Sequence, residues 1–289
     1  MKSNWPRVAI LGSHFLTEIF YSPANALGID LVPISSSENI DEIFSKATDC
    51  DLVISASAGF SPSKIKKLEQ QGLKVRPTST TIEKIVELQK EINNEFDIRA
   101  QLISVAVARS PHGQASSWAP TLISGTTTIT PVPNLKTEIY ETLQASALEI
   151  AEKINLVGVI SVNYQLINDD FRIFKLEFGI VQNCMWTLNG SITNIFEQYL
   201  RSALDLPLGD TSLISENIVS GQISKGSKKD MYRPYLHLMA RSPKLKFFQY
   251  RIDPEFDIDG HISMSGENLE VLIEEIKHAQ DYFSGVVED

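Results

Sequence analysis

Four short apolar runs open the chain at even spacing, each followed by a helical pattern: Val8–Leu11 (VAIL), Asp30–Ile34, Asp51–Ser55 (DLVIS) and Leu73–Arg76 (LKVR). Runs this short and continuous read as strands buried on both faces. Strands that alternate with helices pair in parallel, because each crossover returns the chain to the same end of the sheet. The stretch therefore predicts a doubly wound parallel sheet. Helices are expected over Phe15–Leu27, closed by Gly28, over Ile40–Ala47, and over Ser61–Gln71, where Ser61-Pro62 gives a start and Gly72 a stop. A further helix over Thr81–Asn94 carries Ile82, Ile85, Val86 and Leu88 on one side.

Beyond residue 97 the pattern changes. Gln101–Arg109 and Gln114–Ile123 read as strands joined by the turn Ser110-Pro111-His112-Gly113, and Val157–Ile167 and Phe171–Phe178 as a second hairpin across Asn168-Asp169-Asp170. Between them Lys136–Ile154 is an amphipathic helix, and Ser191–Leu204 is another, ended by Pro207-Leu208-Gly209. The remainder predicts a strand at Leu213–Val219, a polar loop at Gly221–Asp230 and a helix at Arg233–Arg241. Strands at Leu245–Tyr250 and His261–Met264 and a closing helix at Asn268–Phe283 complete it. The organisation divides into residues 1–97, 98–210 and 211–289, the last a small α+β part packed on the second.

Twenty-six Lys and Arg against 36 Asp and Glu leave a net charge of −10, so no broad positive field is available to hold nucleic acid or an anionic membrane. The start of the chain lacks a signal-peptide pattern and no run is long enough to span a bilayer, so the expected location is the cytoplasm. Cys50 and Cys184 have no metal-type spacing and are expected to be inert buried thiols of a reducing compartment. No P-loop, nucleophile elbow, His-Glu-x-x-His or Cys-x-x-Cys motif occurs, and the five histidines are scattered over different elements.

Two places carry candidate chemistry. The turn Leu11-Gly12-Ser13-His14 lies between the first strand and its helix, where backbone N–H groups can hold an anion, with His14 as a candidate ligand. A dinucleotide fingerprint needs further glycines that are absent, so an ordinary strand–helix turn is the reading favoured here. Glu177 ends the strand Phe171–Phe178, with Asn163 expected opposite it. Magnesium–nucleotide sites commonly use two or more oxygen side chains, and Asn163 supplies a neutral one.

Several stretches resemble a known family: Val107–Gly113 (VARSPHG), Ala151–Val162 (AEKINLVGVISV), Trp186–Gly209 (WTLNGSITNIFEQYLRSALDLPLG), Tyr235–Arg241 and Gly260-His261-Ile262. They are similar to carboxyaminoimidazole ribonucleotide synthetase, the ATPase subunit of phosphoribosylaminoimidazole carboxylase, an ATP-grasp enzyme of purine biosynthesis. The resemblance implies a Rossmann-like pre-ATP-grasp domain followed by an ATP-grasp-like domain, with ATP and magnesium as cofactors and a homodimer as the assembly. It places the family's two magnesium glutamates on Asn163 and Glu177, so one is replaced and one kept. The family's central ATP-clamp lobe falls where only Glu83–Ala100 lies here. Its Arg- and His-bearing segment becomes Leu176–Met185 (LEFGIVQNCM), and its cationic loop before Gly-His becomes Tyr250–Asp259, with four acids and one base.

The leading expectation is accordingly a clamp-less, non-catalytic relative that serves as a binding or association scaffold, through a homodimer or pairing with a related protein. The alternatives are an active ligase that carboxylates aminoimidazole ribonucleotide with bicarbonate and ATP, and a binding module for an unrelated small molecule. The ligand-binding candidates are Gly12, Ser13, His14, Arg109, Asn183 and Trp186; the metal candidates are Glu177 and Asn163.

Overall fold

The computed structural model describes residues 5–57, 59–92, 95–224, 232–250 and 258–286. Strands β1 (Arg7–Gly12), β2 (Asp30–Ser35), β3 (Leu52–Ser55) and β4 (Val75–Arg76) form a wholly parallel sheet in the order β2-β1-β3-β4. Helices α1 (His14–Ala26), α2 (Ile40–Ala47), α3 (Pro62–Gln70) and α4 (Ser79–Glu91) connect and follow these strands. The starts of the last three are set locally. Asn39 and Glu42 form a reciprocal capping box before α2, Ser61 accepts from Lys64 N before α3, and Thr78 accepts from Thr81 N before α4. Alternation along the strands covers the sheet on both faces. Val8, Ile10, Leu52 and Ile54 share a core with Phe15 and Phe20 of α1, whereas Ala9, Leu11, Val53 and Val75 share one with Ile43, Ile65, Leu68 and Ile82. This is the doubly wound arrangement the strand–helix alternation predicts.

The second sheet is antiparallel throughout its described pairs. It contains β5 (Gln101–Arg109), β6 (Ala115–Ser117), β7 (Thr121–Ser124), β8 (Thr127–Thr130), β9 (Gly158–Ile167), β10 (Asp170–Phe178), β11 (Asn217–Ser224), β12 (Lys246–Gln249) and β13 (Ile258–Gly266). Their order is β10-β9-β5-β7-β8-β11-β13-β12, with β6 on β5. Helix α5 (Thr137–Lys153) brings Leu143, Ala147 and Ala151 into one core with Val105, Val107, Ile160 and Val162. Helix α7 (Ile195–Ala203) packs on the opposite face with α1, after the short α6 (Thr187–Gly190). Helices α8 (Tyr232–Arg241) and α9 (Leu269–Ser284) accompany the last strands, where Ile276, Ala279 and Phe283 share a core with Val219 and Ile262. The C-terminal strands thus extend the central sheet through the β8–β11 pair.

Several sequence-based boundaries need correction. Gln114–Ile123 is not one strand: it breaks at Trp118-Ala119-Pro120, where Pro120 has no N–H for a ladder, and β8 follows after the Gly125 turn. The helix expected from Ser191 begins at Ile195, because Asn194 accepts from the amides of Phe196 and Glu197 and caps it there. The strand expected at Leu213–Val219 begins at Asn217 and continues through Gly221–Ser224, the first part of the expected polar loop; the rest of that loop, Asn93-Asn94 and residues 251–257 lie outside the described residues. Cys184 is buried, its thiol pushed up to about 12 by desolvation, but Cys50 is only half-buried. Among the described residues, no helix is long and apolar enough to cross a membrane.

Two contacts lock the sheets together. Tyr199 Oη on α7 donates to Ser55 O at the end of β3 (2.6 Å), and Ile180 N, just beyond β10, donates to Ala56 O (2.7 Å). The ends of β3 and β10 are therefore fixed against each other, and a cleft opens beside that junction.

Candidate functional site

The cleft has a volume of about 410 Å³ and lies between the start of α1, Ser57, one face of the antiparallel sheet and the segment Ile180–Met185. Its floor comes from side-chain alternation in the sheet. On β9, Ile160, Val162 and Tyr164 face the α5 core, which turns Ser161 and Asn163 the other way. On β10 a register shift between Ile173 and Lys175 is a bulge, and Phe174 and Lys175 both line the cleft as a result. The walls are apolar, from Phe15 and Leu16 of α1, Leu102, Ile123 and Met185.

A short polar chain crosses this floor. Lys175 Nζ donates to Glu177 Oε1 at 2.6 Å, and Asn163 Nδ2 donates to Glu177 Oε2 at 2.8 Å. Both carboxylate oxygens are thus engaged, and Lys175 and Glu177 are the charged residues among the described lining. The pairing register sets Lys175 opposite Asn163 and Glu177 opposite Ser161, so the Asn163–Glu177 contact is diagonal rather than the direct facing the sequence suggested. Asn163 is 2% exposed and its Oδ1 has no partner. Neither has Oγ of Ser104, its neighbour in register on β5. An unsatisfied buried polar group costs about 1–3 kcal/mol, so this floor is held at some expense to stability.

The cleft brings Asn163, Glu177 and Asn183 together and leaves the other expected residues outside its lining. Gly12 serves packing: a Cβ there would meet Ala56 Cβ at 3.2 Å, where β1 and β3 approach. Ser13 occupies the N-cap of α1 without capping it, and its buried Oγ is unpartnered. His14 is exposed, with Nδ1 3.7 Å from Glu18 Oε1. Arg109 is structural: it donates to Asn155 Oδ1 (3.2 Å) and Leu156 O (2.9 Å), tying the end of β5 to the loop before β9. Trp186 is buried at 3% exposure in the core with Phe196 and Tyr199. Sequence reasoning missed Lys175, Ser104 and Gln182. Lys175 had a readable signal, since residues two apart on a strand share a face and Glu177 was already a candidate. Among the described residues, no group of three or more His, Cys, Asp or Glu is placed to hold a metal ion.

Behind the cleft wall, Phe15 stacks on Tyr250 with ring centroids 4.2 Å apart. Tyr250 Oη donates to Gln182 Oε1 at 3.4 Å and lies 2.9 Å from His261 Nδ1, whose ring stacks on Phe248. His261 is buried with Nε2 unpartnered, and burial pushes its pKa down from 6.5 to about 3. The folded ring stays neutral while the unfolded ring takes up a proton below pH 6.5. Its contribution is therefore complete above pH 6.5 and is lost progressively as pH falls toward 3. Urea unfolding at pH 7 and pH 5 should show a drop of about 2 kcal/mol from this group, and His261→Gln should remove about that much of the acid sensitivity. An unchanged slope in the variant would show that the ring titrates normally.

No family model matches the chain. It is 28% identical over 203 residues to the N5-carboxyaminoimidazole ribonucleotide synthase of Mycobacterium tuberculosis, covering 67% of this chain and 47% of that protein. It is 26% identical over 194 residues to the enzyme of the same name from Corynebacterium ammoniagenes, covering 62% and 47%. The chain spans about half the length of the curated relatives it matches. In fold it is similar to N5-carboxyaminoimidazole ribonucleotide synthetase from Thermotoga maritima, with a TM-score of 0.82 at 15% identity over 96% of this chain and 98% of that one. The carboxyaminoimidazole ribonucleotide synthase from Aspergillus clavatus, solved in complex with ATP, gives a TM-score of 0.83 at 15% identity over 98% and 100%. Sequence likeness across two thirds of the chain, joined to a shared fold over nearly all of it, makes this chain similar to the N5-carboxyaminoimidazole ribonucleotide synthases.

Proposed function

We propose that this chain is a non-catalytic relative of these synthases, a folded scaffold whose cleft no longer takes magnesium and ATP and which acts by binding or association. The observation that carries this reading is the state of Glu177. Both of its oxygens are engaged, one by the Lys175 ammonium and one by the Asn163 amide. An internal cation thus stands where a divalent ion would need open carboxylate oxygens, and Asn163 brings no second negative charge. Phosphoryl transfer depends almost wholly on positioning and on metal-assisted charge stabilisation, so losing the metal pair removes most of its basis. Chain length gives further support. Residues 92–100 alone separate α4 from β5, where the family resemblance calls for an ATP-clamp lobe.

Isothermal titration with ATP and magnesium tests the reading. No binding is expected up to about 1 mM nucleotide, an affinity near 4 kcal/mol or weaker. Micromolar binding that disappears in Glu177→Gln overturns it. Retention of Glu177 favours the second reading, an active ligase that carboxylates aminoimidazole ribonucleotide with bicarbonate. Phosphate release in the presence of both substrates and ATP, abolished by Glu177→Gln, would establish that activity.

A further inference from the structure

We infer that His237 of α8 and His278 of α9 form a zinc-class metal site, their two Nε2 atoms holding one divalent ion whose remaining positions water fills. The site lies in the C-terminal part of the chain and does not depend on the reading of the cleft. The two residues are 41 positions apart, and only the fold pairs them. Nε2 lies 3.3 Å from Nε2, and the ring centroids are 5.6 Å apart. Both residues are half-buried rather than enclosed, so an ion can arrive from solvent.

The separation selects the coordination. At a zinc–imidazole length of about 2.0–2.1 Å, nitrogens 3.3 Å apart subtend about 104–111° at the ion, which brackets the tetrahedral angle. A right angle, as octahedral and square-planar ions need, would draw the nitrogens in to about 2.9 Å. Around a tetrahedral ion the centroids would stand about 5.2 Å apart, so each ring tilts toward the ion as it enters. In the metal-free pair one Nε2–H donates to the other ring. With the ion bound that proton sits on Nδ1 instead, and both Nε2 lone pairs serve as ligands.

The frame around the pair is already fastened. His237 stacks on the buried Tyr282 with centroids 4.2 Å apart and planes 3° apart. One helical turn from each histidine, Arg241 Nε and Nη2 donate to the two Glu275 oxygens at 3.2 and 3.0 Å, and Ser242 Oγ donates to the same carboxylate. These contacts tie α8 to α9 beside the rings, which reduces the ordering that binding must impose. Local charge also favours a cation, since Glu275 and Asp281 act on His278 against the single positive charge of Arg241. Imidazole nitrogen suits zinc and its neighbours, whereas magnesium and calcium take oxygen ligands. Among the described residues no third His, Cys, Asp or Glu joins the pair. Half the ligand set of a structural zinc site should give a Kd of about 1–200 µM.

Isothermal titration of the full chain with Zn²⁺ tests the inference. One ion per chain should bind in that range, with no histidine-dependent binding of Mg²⁺. His237→Phe, which keeps a ring against Tyr282, and His278→Gln should each weaken zinc binding at least about tenfold. His112→Gln and Glu177→Gln should leave it unchanged. Co²⁺ in place of zinc reads the geometry, and the intense visible absorption of a four-coordinate ion is expected in the wild-type chain. Absence of zinc binding, zinc binding that both histidine variants retain, loss of it in His112→Gln or Glu177→Gln, or the weak spectrum of six-coordinate cobalt overturns the inference. If either histidine variant does not fold, the other variant and the wild-type cobalt spectrum decide.

Discussion

Gly179→Ala is expected to destabilise the folded chain by about 3 kcal/mol or more, since a left-handed backbone costs a residue with a Cβ about 1–2 kcal/mol and forced overpacking costs a further 1–3 kcal/mol. Gly179 sits at φ +79°, just past the end of β10. A Cβ at this position would lie 2.5 Å from Ala56 O and 2.9 Å from Ser57 Cα. Those atoms are backbone, so no side-chain rotation relieves the clash. The same Ala56 carbonyl accepts from Ile180 N, and Gly179 N donates to Val159 O at 2.9 Å. The junction that ties the two sheets and hangs the Ile180–Met185 wall of the cleft therefore has nowhere to move. Gly125→Ala is the matched control: its φ is +59° and nothing lies within 4 Å of the Cβ position, so only the conformational cost of about 1–2 kcal/mol remains. Guanidinium unfolding of both variants decides the matter. If Gly179→Ala loses no more than Gly125→Ala, the close approach does not contribute to stability.

That junction also shows where sequence ceased to be legible. The parallel sheet was readable because its strands are continuous apolar runs and its helices carry local start signals. Asn39 with Glu42, Ser61 with Pro62, and Thr78 act within three or four residues of themselves. The antiparallel sheet was less legible wherever a tertiary contact overrode a local pattern. Trp118 interrupts an otherwise strand-like run because its indole turns into the core and donates to Thr193 O and Ser191 Oγ. β8 is a run of Thr127–Thr130 whose β-branched residues and preceding Gly125 were a hairpin signal not taken up.

The site divides in the same way. Glu177 and Asn163 were identifiable through the family resemblance, and Lys175 through its shared strand face. Ser104 was not identifiable, since a serine in an apolar strand gains significance only from the register that places it beside Asn163. Arg109 and Trp186 belong to motifs that resemble the family, yet one secures a loop and the other fills a core. A recognisable motif marks a position that the fold needs as readily as one that chemistry needs.

The second large effect is a gain rather than a loss. Asn163→Asp combined with Lys175→Ala is expected to create a divalent-cation site, seen as a melting temperature that rises with Mn²⁺ in the double variant and not in the wild-type chain. Asn163 Nδ2 and Glu177 Oε2 are 2.8 Å apart, so the substitution sets two carboxylates side by side at a spacing that one ion can bridge. Without a cation, two like charges at about 4 Å repel by about 4 kcal/mol at an effective dielectric near 20, so the metal-free double variant should be less stable than wild type. With the ion at a hundredfold excess over its Kd, binding to the folded state restores about 2.7 kcal/mol. The single variant Asn163→Asp should respond far less, because Lys175 at 2.6 Å from Glu177 continues to neutralise the pair. This contrast isolates the role of the lysine. If Asn163→Asp alone responds to Mn²⁺ as strongly as the double variant, Lys175 does not stand in for a metal. If neither responds, the geometry of β9 and β10 is unsuited to one, and the second carboxylate is not what the cleft lacks.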